Sequence, residues 1–243
     1  MFDLVFWPRA TTASYNYGAT IRFASNGAVQ YSNQLMPPGE AIHTWSSVTN
    51  YDDVRTAPNL PLLQHGVTYY WESVISDLIG RIQTQVLFWD EDGAEVDRVI
   101  LDEQHGTFLF PEMAKSYTIE LVNIHHEQFT FDYGVLTEAD TALHADWHVD
   151  LDQQSVMVVP DGQRGDTAET TVALSARNMG TQPFVLPERG AFYGIYGTTG
   201  QFMSPAWQHK QQAGVRQAIK HLSLPVMSTS PSTLALSQML SAQ

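Results

Sequence analysis

In the stretch Arg81-Ile-Gln-Thr-Gln-Val-Leu-Phe88, inward and outward positions alternate, and this alternation decides the fold class. A period of two is typical of a β-strand that buries one face and exposes the other. The stretch Ser116-Tyr-Thr-Ile-Glu-Leu-Val-Asn123 repeats the pattern, and a following segment continues it through Phe129, Phe131 and Tyr133. We expect the following side chains to face inward: Ile82, Thr84, Val86, Phe88, Tyr117, Ile119 and Leu121.

Shorter strands are predicted around these two, at residues 19–23, 28–32, 41–48, 67–75, 96–101 and 107–110. Glycine, asparagine and proline supply the backbone angles that chain reversals need, and such residues separate many of the strands. These turn signals are Asn26-Gly27, Pro37-Pro38-Gly39, His65-Gly66, Asp92-Gly93 and His105-Gly106. The pattern predicts an all-β fold, an antiparallel β-sandwich of two sheets, of which the jelly roll is one version.

The charge of the chain excludes some classes of partner. Its 243 residues include 12 Lys and Arg against 26 Asp and Glu, and the formal net charge is −14. Nucleic-acid binding gains affinity when Lys and Arg neutralise phosphates, so a surface this acidic argues against it. The chain has no cysteine, which excludes disulfides, thiolate nucleophiles and cysteine-ligated metal sites. No stretch of about 18 apolar residues occurs and no secretory signal begins the sequence, so we expect a cytoplasmic protein.

Charge also divides the sequence. Residues 1–139 hold 18 acids and six bases, whereas residues 140–243 hold eight acids and six bases. We expect a β-sandwich domain over 1–139, a polar linker over 140–166 and a C-terminal extension over 167–222 with strands and a short helix. The glycine-rich and aromatic run from Gly190 to Gly200 reads as a loop. Residues 223–243 are rich in Ser and Thr and without charge, which predicts a flexible tail.

The familiar catalytic motifs are missing. The sequence has no G-x-S-x-G elbow, Walker A loop, H-E-x-x-H pair or kinase signature, so we expect no enzyme activity and no cofactor. His144 and His148 would share one helical face and could ligate a metal, but their surroundings read as linker. The acidic run from Asp90 to Glu95 is better explained as a hairpin turn than as half a calcium loop, and no metal site is predicted.

Four aromatic residues have two readings. Trp45, Tyr51, Trp71 and Trp89 could line a concave sheet face and stack against the C–H faces of sugars. They could instead fill the core, which is the more common place for large aromatic side chains. The residues alone leave both readings open.

An ordered series of motifs resembles one known family. The series includes the run Leu35-Met-Pro-Pro-Gly-Glu-Ala-Ile-His-Thr-Trp45, followed by Thr49-Asn-Tyr51 and Pro58-Asn-Leu-Pro-Leu-Leu63. Through these motifs the sequence resembles the third of the accessory secretory proteins of the accessory Sec system. The family pattern matches in the same order before this run, at Tyr17-Gly18 and Ile21-Arg22-Phe23, and after it, at Leu87-Phe-Trp-Asp90, Phe110-Pro-Glu112 and Ser116–Asn123. The likeness covers about residues 14–133. At Trp89 the sequence departs from the family pattern, which has a smaller aromatic residue.

The resemblance implies a non-catalytic component of a bacterial export route for serine-rich repeat adhesins, which are glycosylated. It implies a complex with two sister accessory secretory proteins, indirect cooperation with a motor ATPase and channel, and a jelly roll like that of carbohydrate-binding modules. For the contacts with partners or glycans we expect the loop Pro37-Pro38-Gly39, which is rigid and presents Ile42 and Trp45, together with the rings of Tyr51, Trp71 and Trp89.

Three alternatives remain. The chain could be a glycan-modifying enzyme, although the missing catalytic motifs disfavour it. The chain could be a stand-alone carbohydrate-binding module, which would bind glycans without partners. The C-terminal region, whose helix carries Arg216 and Lys220, could dock on anionic lipid at the cytoplasmic face of the membrane or on an acidic partner.

Overall fold

A computed structural model describes the chain except for residues 10–11, 50–57, 102–103, 163–169, 177–179, 220–221, 229 and 242–243, and for residues 222–225 it describes the backbone alone. The chain divides into two units. The front unit is Asp3–Ala139, and the rear unit is Met1–Phe2 with Asp140–Gln243. No helix among the described residues is long and apolar enough to cross a bilayer.

The front unit is built from strands. They are β1 (Phe2–Val5), β2 (Thr20–Phe23), β3 (Val29–Ser32), β4 (Ala41–Ser46), β5 (Thr68–Trp89), β6 (Glu95–Leu101), β7 (His105–Leu109) and β8 (Ser116–Glu138). Strands β2 to β8 pair antiparallel, with β5 and β8 at the centre. The prediction of an antiparallel jelly-roll β-sandwich is confirmed for this unit.

The central strands are longer than the sequence pattern suggested. Strands β5 and β8 have 22 and 23 residues and pair from Tyr69 opposite Glu138 to Trp89 opposite Ser116. Each merges two segments that the pattern kept apart, because the ladder continues across a bulged region. In that region Asp77 has φ 52° and Gly80 has φ 98°. A Cβ on Gly80 would collide with the carbonyl oxygen of His125, so only glycine fits there.

The inner face of the front unit follows the predicted alternation. All seven side chains expected to face inward are buried: Ile82, Thr84, Val86, Phe88, Tyr117, Ile119 and Leu121. Aromatic rings fill much of the remaining core, and the ring centroids of Trp45 and Phe131 lie 5.0 Å apart. Such pairs add about 0.5–1.5 kcal/mol each beyond the burial of their area.

The rear unit is a mixed sheet with helices. Its elements are α1 (Ala139–His144), β9 (Ala145–Asp150), β10 (Ser155–Pro160), β11 (Thr170–Ala176), β12 (Thr181–Phe184), β13 (Ala191–Gly197), α2 (Thr199–Phe202), α3 (Pro205–Ala218), β14 (Leu222–Ser228), a 3-10 turn (Pro231–Thr233) and α4 (Leu234–Ser241). The sheet runs in the order β14-β11-β13-β10-β9, and β11 pairs parallel with both β13 and β14.

Three expectations for this region were wrong. The predicted linker 140–166 contains most of α1 and all of β9 and β10. Its polar composition resembled that of a linker because β9 is an edge strand whose acids and histidine are exposed or half-buried. The predicted loop at Gly190 contains β13, a strand buried at every position. The tail 223–243 contains most of β14 and all of α4, whose Leu236 and Leu240 are buried against Phe202 and Val215. The C-terminal extension is therefore an ordered unit with its own core.

The helix prediction for the rear unit was close. The i, i+4, i+7 spacing of Val215, Ile219 and Leu222 predicts a helix over residues 205–222, and α3 ends at Ala218. Val215 and Ile219 are buried in the rear core. Residue 222 begins β14 instead.

Candidate functional site

The loop before β4 is held tightly to β8. The side-chain amide of Asn123 donates hydrogen bonds to the carbonyl oxygens of Met36, at 2.8 Å, and Pro37, at 3.0 Å. The backbone N–H of Gly39 donates to the carbonyl of Asn123 at 2.7 Å, and the N–H of Asn123 donates to Glu40 at 2.9 Å. Four hydrogen bonds therefore fix this loop, and its residues 37–40 are exposed.

A second loop, which carries Tyr17, is held by the side chain of Asn33, which also bonds the backbone of Leu35. The Nδ2 atom of Asn33 donates to the carbonyl of Tyr17 at 2.9 Å, while its Oδ1 accepts the N–H of Leu35 at 3.2 Å. Gly18 turns the chain beside it with φ 71°. The side chains of Tyr17 and Leu35 are 83% and 85% exposed. An ordered pair of large apolar side chains in water is typical of a contact surface rather than of a core.

We call these exposed residues the apolar tip: Tyr17, Leu35, Pro37 and Pro38. The sequence indicated the two prolines but not Tyr17 and Leu35 as contacts. Their exposure could have been predicted from the sequence, because side chains at loop tips are usually exposed. Tyr17 precedes a turn glycine, and Leu35 precedes the Pro-Pro-Gly turn.

The other predicted contact residues of this region are core residues. Ile42, Trp45 and Trp71 are 0% exposed. The indole N–H of Trp45 donates to the carbonyl of Phe6 at 3.1 Å, and that of Trp71 donates to Ser73 Oγ at 2.8 Å. Fully buried side chains offer no surface to a partner or a sugar, so the expectation for these three is corrected. Their positions on inward-facing strand sites account for the burial.

The last two predicted contact residues are Trp89 and Tyr51. Trp89 is half-buried, and its indole N–H donates to Thr118 Oγ1 at 3.2 Å. Tyr51 lies outside the residues that the structure describes. Among the described aromatic side chains named from the sequence, Trp89 alone therefore retains a partly open surface.

A polar ladder crosses the outer face of strands β4, β8, β5 and β6. Glu120 accepts hydrogen bonds from Thr44 Oγ1 at 3.3 Å and from Gln85 Nε2 at 2.7 Å. Arg98 follows on β6, where it holds Glu95 in a two-point ion pair of 2.7 and 2.9 Å. The hydrogen bond from Arg98 lowers the pKa of Glu95. The ladder is exposed or half-buried, so it is a solvated surface.

A serine and a histidine meet in the front core. Ser14 Oγ lies 2.9 Å from His43 Nδ1 and accepts the indole N–H of Trp7 at 3.0 Å. A serine beside a histidine can form a nucleophile and its base. Here both are buried, and complete burial lowers the pKa of His43 to about 3, far below the range of a useful base at neutral pH. The pair holds the indole N–H of Trp7 in a buried hydrogen-bond chain, and its histidine is a poor general base.

Metal ligation finds no support in the described residues. No group of three or more His, Asp or Glu side chains lies close enough there to hold an ion. His144 ends α1 and His148 lies on β9, so the two do not share a helical face. The Asp90 segment is the predicted hairpin turn, in which Asp90 Oδ1 accepts the N–H groups of Asp92 and Ala94 at 3.0 and 2.8 Å.

The front unit coincides with a known family. The family model of the accessory Sec secretory system protein ASP3 matches residues 14–138, which is about half of the chain. The chain belongs to the ASP3 family. It is 35% identical over 122 residues to the accessory Sec system protein Asp3 of Streptococcus gordonii, covering 49% of this chain and 75% of that relative.

Solved structures agree with this ASP3 membership. A chain of the crystal structure of accessory secretory proteins 1, 2 and 3 from Streptococcus pneumoniae is 29% identical, with a TM-score of 0.51 over 55% of this chain and 94% of that one. A chain of the Glycosylation Associate Protein (Gap123) complex from Streptococcus agalactiae is similar in fold, with 19% identity and a TM-score of 0.52 over 98% of this chain and 76% of that one. The apolar tip begins three residues inside the ASP3 match, at Tyr17.

Proposed function

We propose that this chain is a non-catalytic adaptor that assembles with two sister accessory secretory proteins and helps to export glycosylated serine-rich repeat adhesins. The observation that carries the proposal is its similarity to a chain of a solved structure of accessory secretory proteins 1, 2 and 3, which the front unit matches over 94% of that chain. The accessory Sec role follows from the family. The complex, the adhesin and a cytoplasmic location, with the motor ATPase and channel acting indirectly, belong to the proposal.

The apolar tip is our proposed contact with a sister protein. Its two loops are fixed before binding by the amides of Asn33 and Asn123, so little conformational entropy is lost when a partner covers them. Interfaces draw most of their affinity from a few large side chains at their centre. Tyr17 and Leu35 are the large side chains of the tip, and both are more than four-fifths exposed.

The test is co-purification of the three proteins with a tagged full-length chain. A Tyr17→Ser, Leu35→Ser double variant should keep its fold and lose at least tenfold in affinity for one sister protein. A Leu62→Ser variant is the matched control, because Leu62 is also 80% exposed but lies outside the tip. Unchanged assembly of the double variant would assign the interface elsewhere on the molecule. Failure of the unmodified chain to recover either sister protein would remove the adaptor proposal itself.

A carbohydrate-binding module remains the second candidate because of one groove. A cavity of about 390 Å³ in the front unit is lined by hydroxyl, amide, guanidinium and carboxylate groups from Thr20, Arg22, Gln30, Gln128 and Asp77. Such groups can bind sugar hydroxyls. Trp45, Trp71 and Trp89, the described rings predicted to stack on sugars, do not line this groove. Titration of the pure chain with glycans decides, since a saturable signal without partners would favour the module.

Docking of the rear unit on anionic lipid stays a prediction. Arg216 is exposed on α3, whereas the ammonium group of Lys210 donates to the carbonyl of Asp152 at 2.7 Å. Lys220 lies outside the described residues. Co-sedimentation with anionic vesicles, before and after the change Arg216→Gln, would test the contribution of the exposed guanidinium.

A further inference from the structure

A cavity of about 510 Å³ opens in the rear unit between the edge of its sheet and α3. Strands β9, β10 and β13 supply Asp150, Met157 and Tyr193, the turn after β9 supplies Gln153, and α3 supplies Gly214. Among the described residues that line it, none is a lysine or an arginine. A cavity of this size can bury most of a small organic molecule. It lies outside residues 14–138, which the family match covers.

Two oxygen atoms converge on one point of this cavity. A Cβ built on Gly214 would lie 3.7 Å from Gln153 Oε1 and 3.9 Å from Tyr193 Oη, so both oxygens face the space beside the glycine. Gln153 Oε1 is buried and has no hydrogen-bond partner among the described residues. A buried acceptor without a donor destabilises the folded protein. The site therefore favours a ligand that brings a hydrogen-bond donor to this point.

The electrostatics of the cavity favour a positive charge on that ligand. The Oδ1 atom of Asp150 accepts the backbone N–H of Gln153 at 2.8 Å, which holds a carboxylate beside the free acceptor. Burial raises the pKa of Tyr193, a hydrogen bond with Ser155 opposes that rise, and the charge of Asp150 adds to it. Among the described residues, the wall also includes the imidazole of His148 but no lysine or arginine. With the acceptor oxygens and the Asp150 carboxylate present, a cation finds more partners there than an anion does.

The glycine in α3 keeps the cavity open. Glycine in the interior of a helix is less favourable than alanine. The distances of 3.7 and 3.9 Å from a Cβ at Gly214 are ordinary van der Waals contacts, so internal packing does not require glycine there. Met157 lies opposite Tyr193 in the sheet register and gives the cavity an apolar wall.

We infer that this cavity binds a small organic ammonium ion, with its charged head between Gln153 Oε1 and the Asp150 carboxylate and its apolar body against Met157 and Tyr193. An ammonium group carries three donors and no acceptor, which matches the free oxygen atom and the carboxylate. The aliphatic or aromatic body of the ligand replaces water against the thioether and the phenol ring.

The test compares three probes of nearly equal shape on the full chain. Phenethylamine is the ammonium probe, 2-phenylethanol is its neutral counterpart and 3-phenylpropionate is its anionic counterpart. We expect phenethylamine to give saturable amide chemical-shift changes at Gln153 and Gly214, an affinity at least tenfold higher than that of the alcohol, and no saturable change with the carboxylate. Equal affinities of amine and alcohol, or no saturation by about 10 mM amine, would overturn the inference.

Two variants locate the binding. Asp150→Asn keeps an oxygen for the N–H of Gln153 but removes the charge, so the affinity for phenethylamine should fall about tenfold and that for the alcohol should not change. Gly214→Leu should block the cavity, and Gly200→Ala on α2 is the glycine control outside it. If Gly214→Leu does not give a folded spectrum, Asp150→Asn decides alone. Unchanged amine affinity in a folded Asp150→Asn variant contradicts the assignment.

Discussion

The Nδ2 atom of Asn123 lies 2.8 Å from the carbonyl oxygen of Met36, a residue 87 positions earlier in the chain. One side chain in the middle of β8 therefore fixes the loop that carries the apolar tip. Its Oδ1 atom is used as well, because it accepts the backbone N–H of His126 at 3.0 Å. Asn123 is buried, so none of these bonds is exchanged readily with water.

Asn123→Ala should destabilise the front unit by about 2–4 kcal/mol, because the carbonyls of Met36 and Pro37 and the N–H of His126 lose a buried partner. Urea denaturation of the full chain measures the loss. Gln128→Ala on the same strand is the control, since Gln128 is exposed. A change smaller than about 0.5 kcal/mol in the Asn123 variant would show that water replaces these hydrogen bonds at little cost.

The front unit could largely be predicted from its sequence, because its long central strands alternate in burial over much of their length. Ile82, Thr84, Val86 and Phe88 are all buried as predicted, although Leu87 between them is buried as well. The pattern did not show that β5 and β8 are continuous strands. At the bulge near Asp77 and Gly80 the alternation of buried and exposed residues is interrupted, but the pairing of the two strands continues. The aromatic residues were ambiguous for a similar reason. Period two places Trp45 and Trp71 on a face, but which face is inward depends on the partner strands.

The rear unit was predicted poorly because its strands lie in other environments. Strand β13 is buried on both faces, so its sequence Ala-Phe-Tyr-Gly-Ile-Tyr-Gly has no alternation. Its glycines suggested a loop, whereas Gly194 serves close packing: a Cβ there would lie 2.7 Å from the ring of Phe184 and 2.8 Å from Val156. Such contacts join residues far apart in the chain, and no local pattern indicates them.

Gly194→Ala should therefore destabilise the rear unit by about 1–3 kcal/mol, because the added methyl group overpacks the space between Phe184 and Val156. Thermal unfolding monitored by circular dichroism measures the resulting fall in melting temperature. The matched variant is Gly200→Ala, where the nearest atom to a Cβ is 4.0 Å away and little change is expected. Equal melting temperatures for the two variants would mean that β13 shifts to accept the methyl group.

Gly214→Ala should do the opposite and stabilise the chain by about 0.5–1 kcal/mol, since alanine favours the helical state and its methyl group meets only van der Waals contacts. Chemical denaturation measures this gain against the unmodified chain. A loss of stability in the Gly214 variant would show that the wall of the rear cavity cannot accept even one methyl group.

The last prediction concerns the loss of folding stability at acid pH. Burial lowers the pKa of His43 from 6.5 to about 3. Between these two values the unfolded chain binds a proton that the folded chain excludes, so the neutral histidine contributes its full stability above pH 6.5 and loses it as the pH falls. The expected contribution to the slope reaches about 1.4 kcal/mol per pH unit.

Urea unfolding of the chain at pH 8, 7, 6 and 5 measures this slope for His43, and His43→Asn isolates it. Asparagine offers an oxygen to Ser14 near the position of Nδ1 but does not titrate. Burial also lowers the pKa of His126, with the neighbouring His125 adding to the effect. Both proteins contain His126, so its contribution cancels in the difference. The unmodified chain should lose stability faster than His43→Asn below pH 6.5, and parallel curves would mean that His43 is hydrated or charged in the folded state.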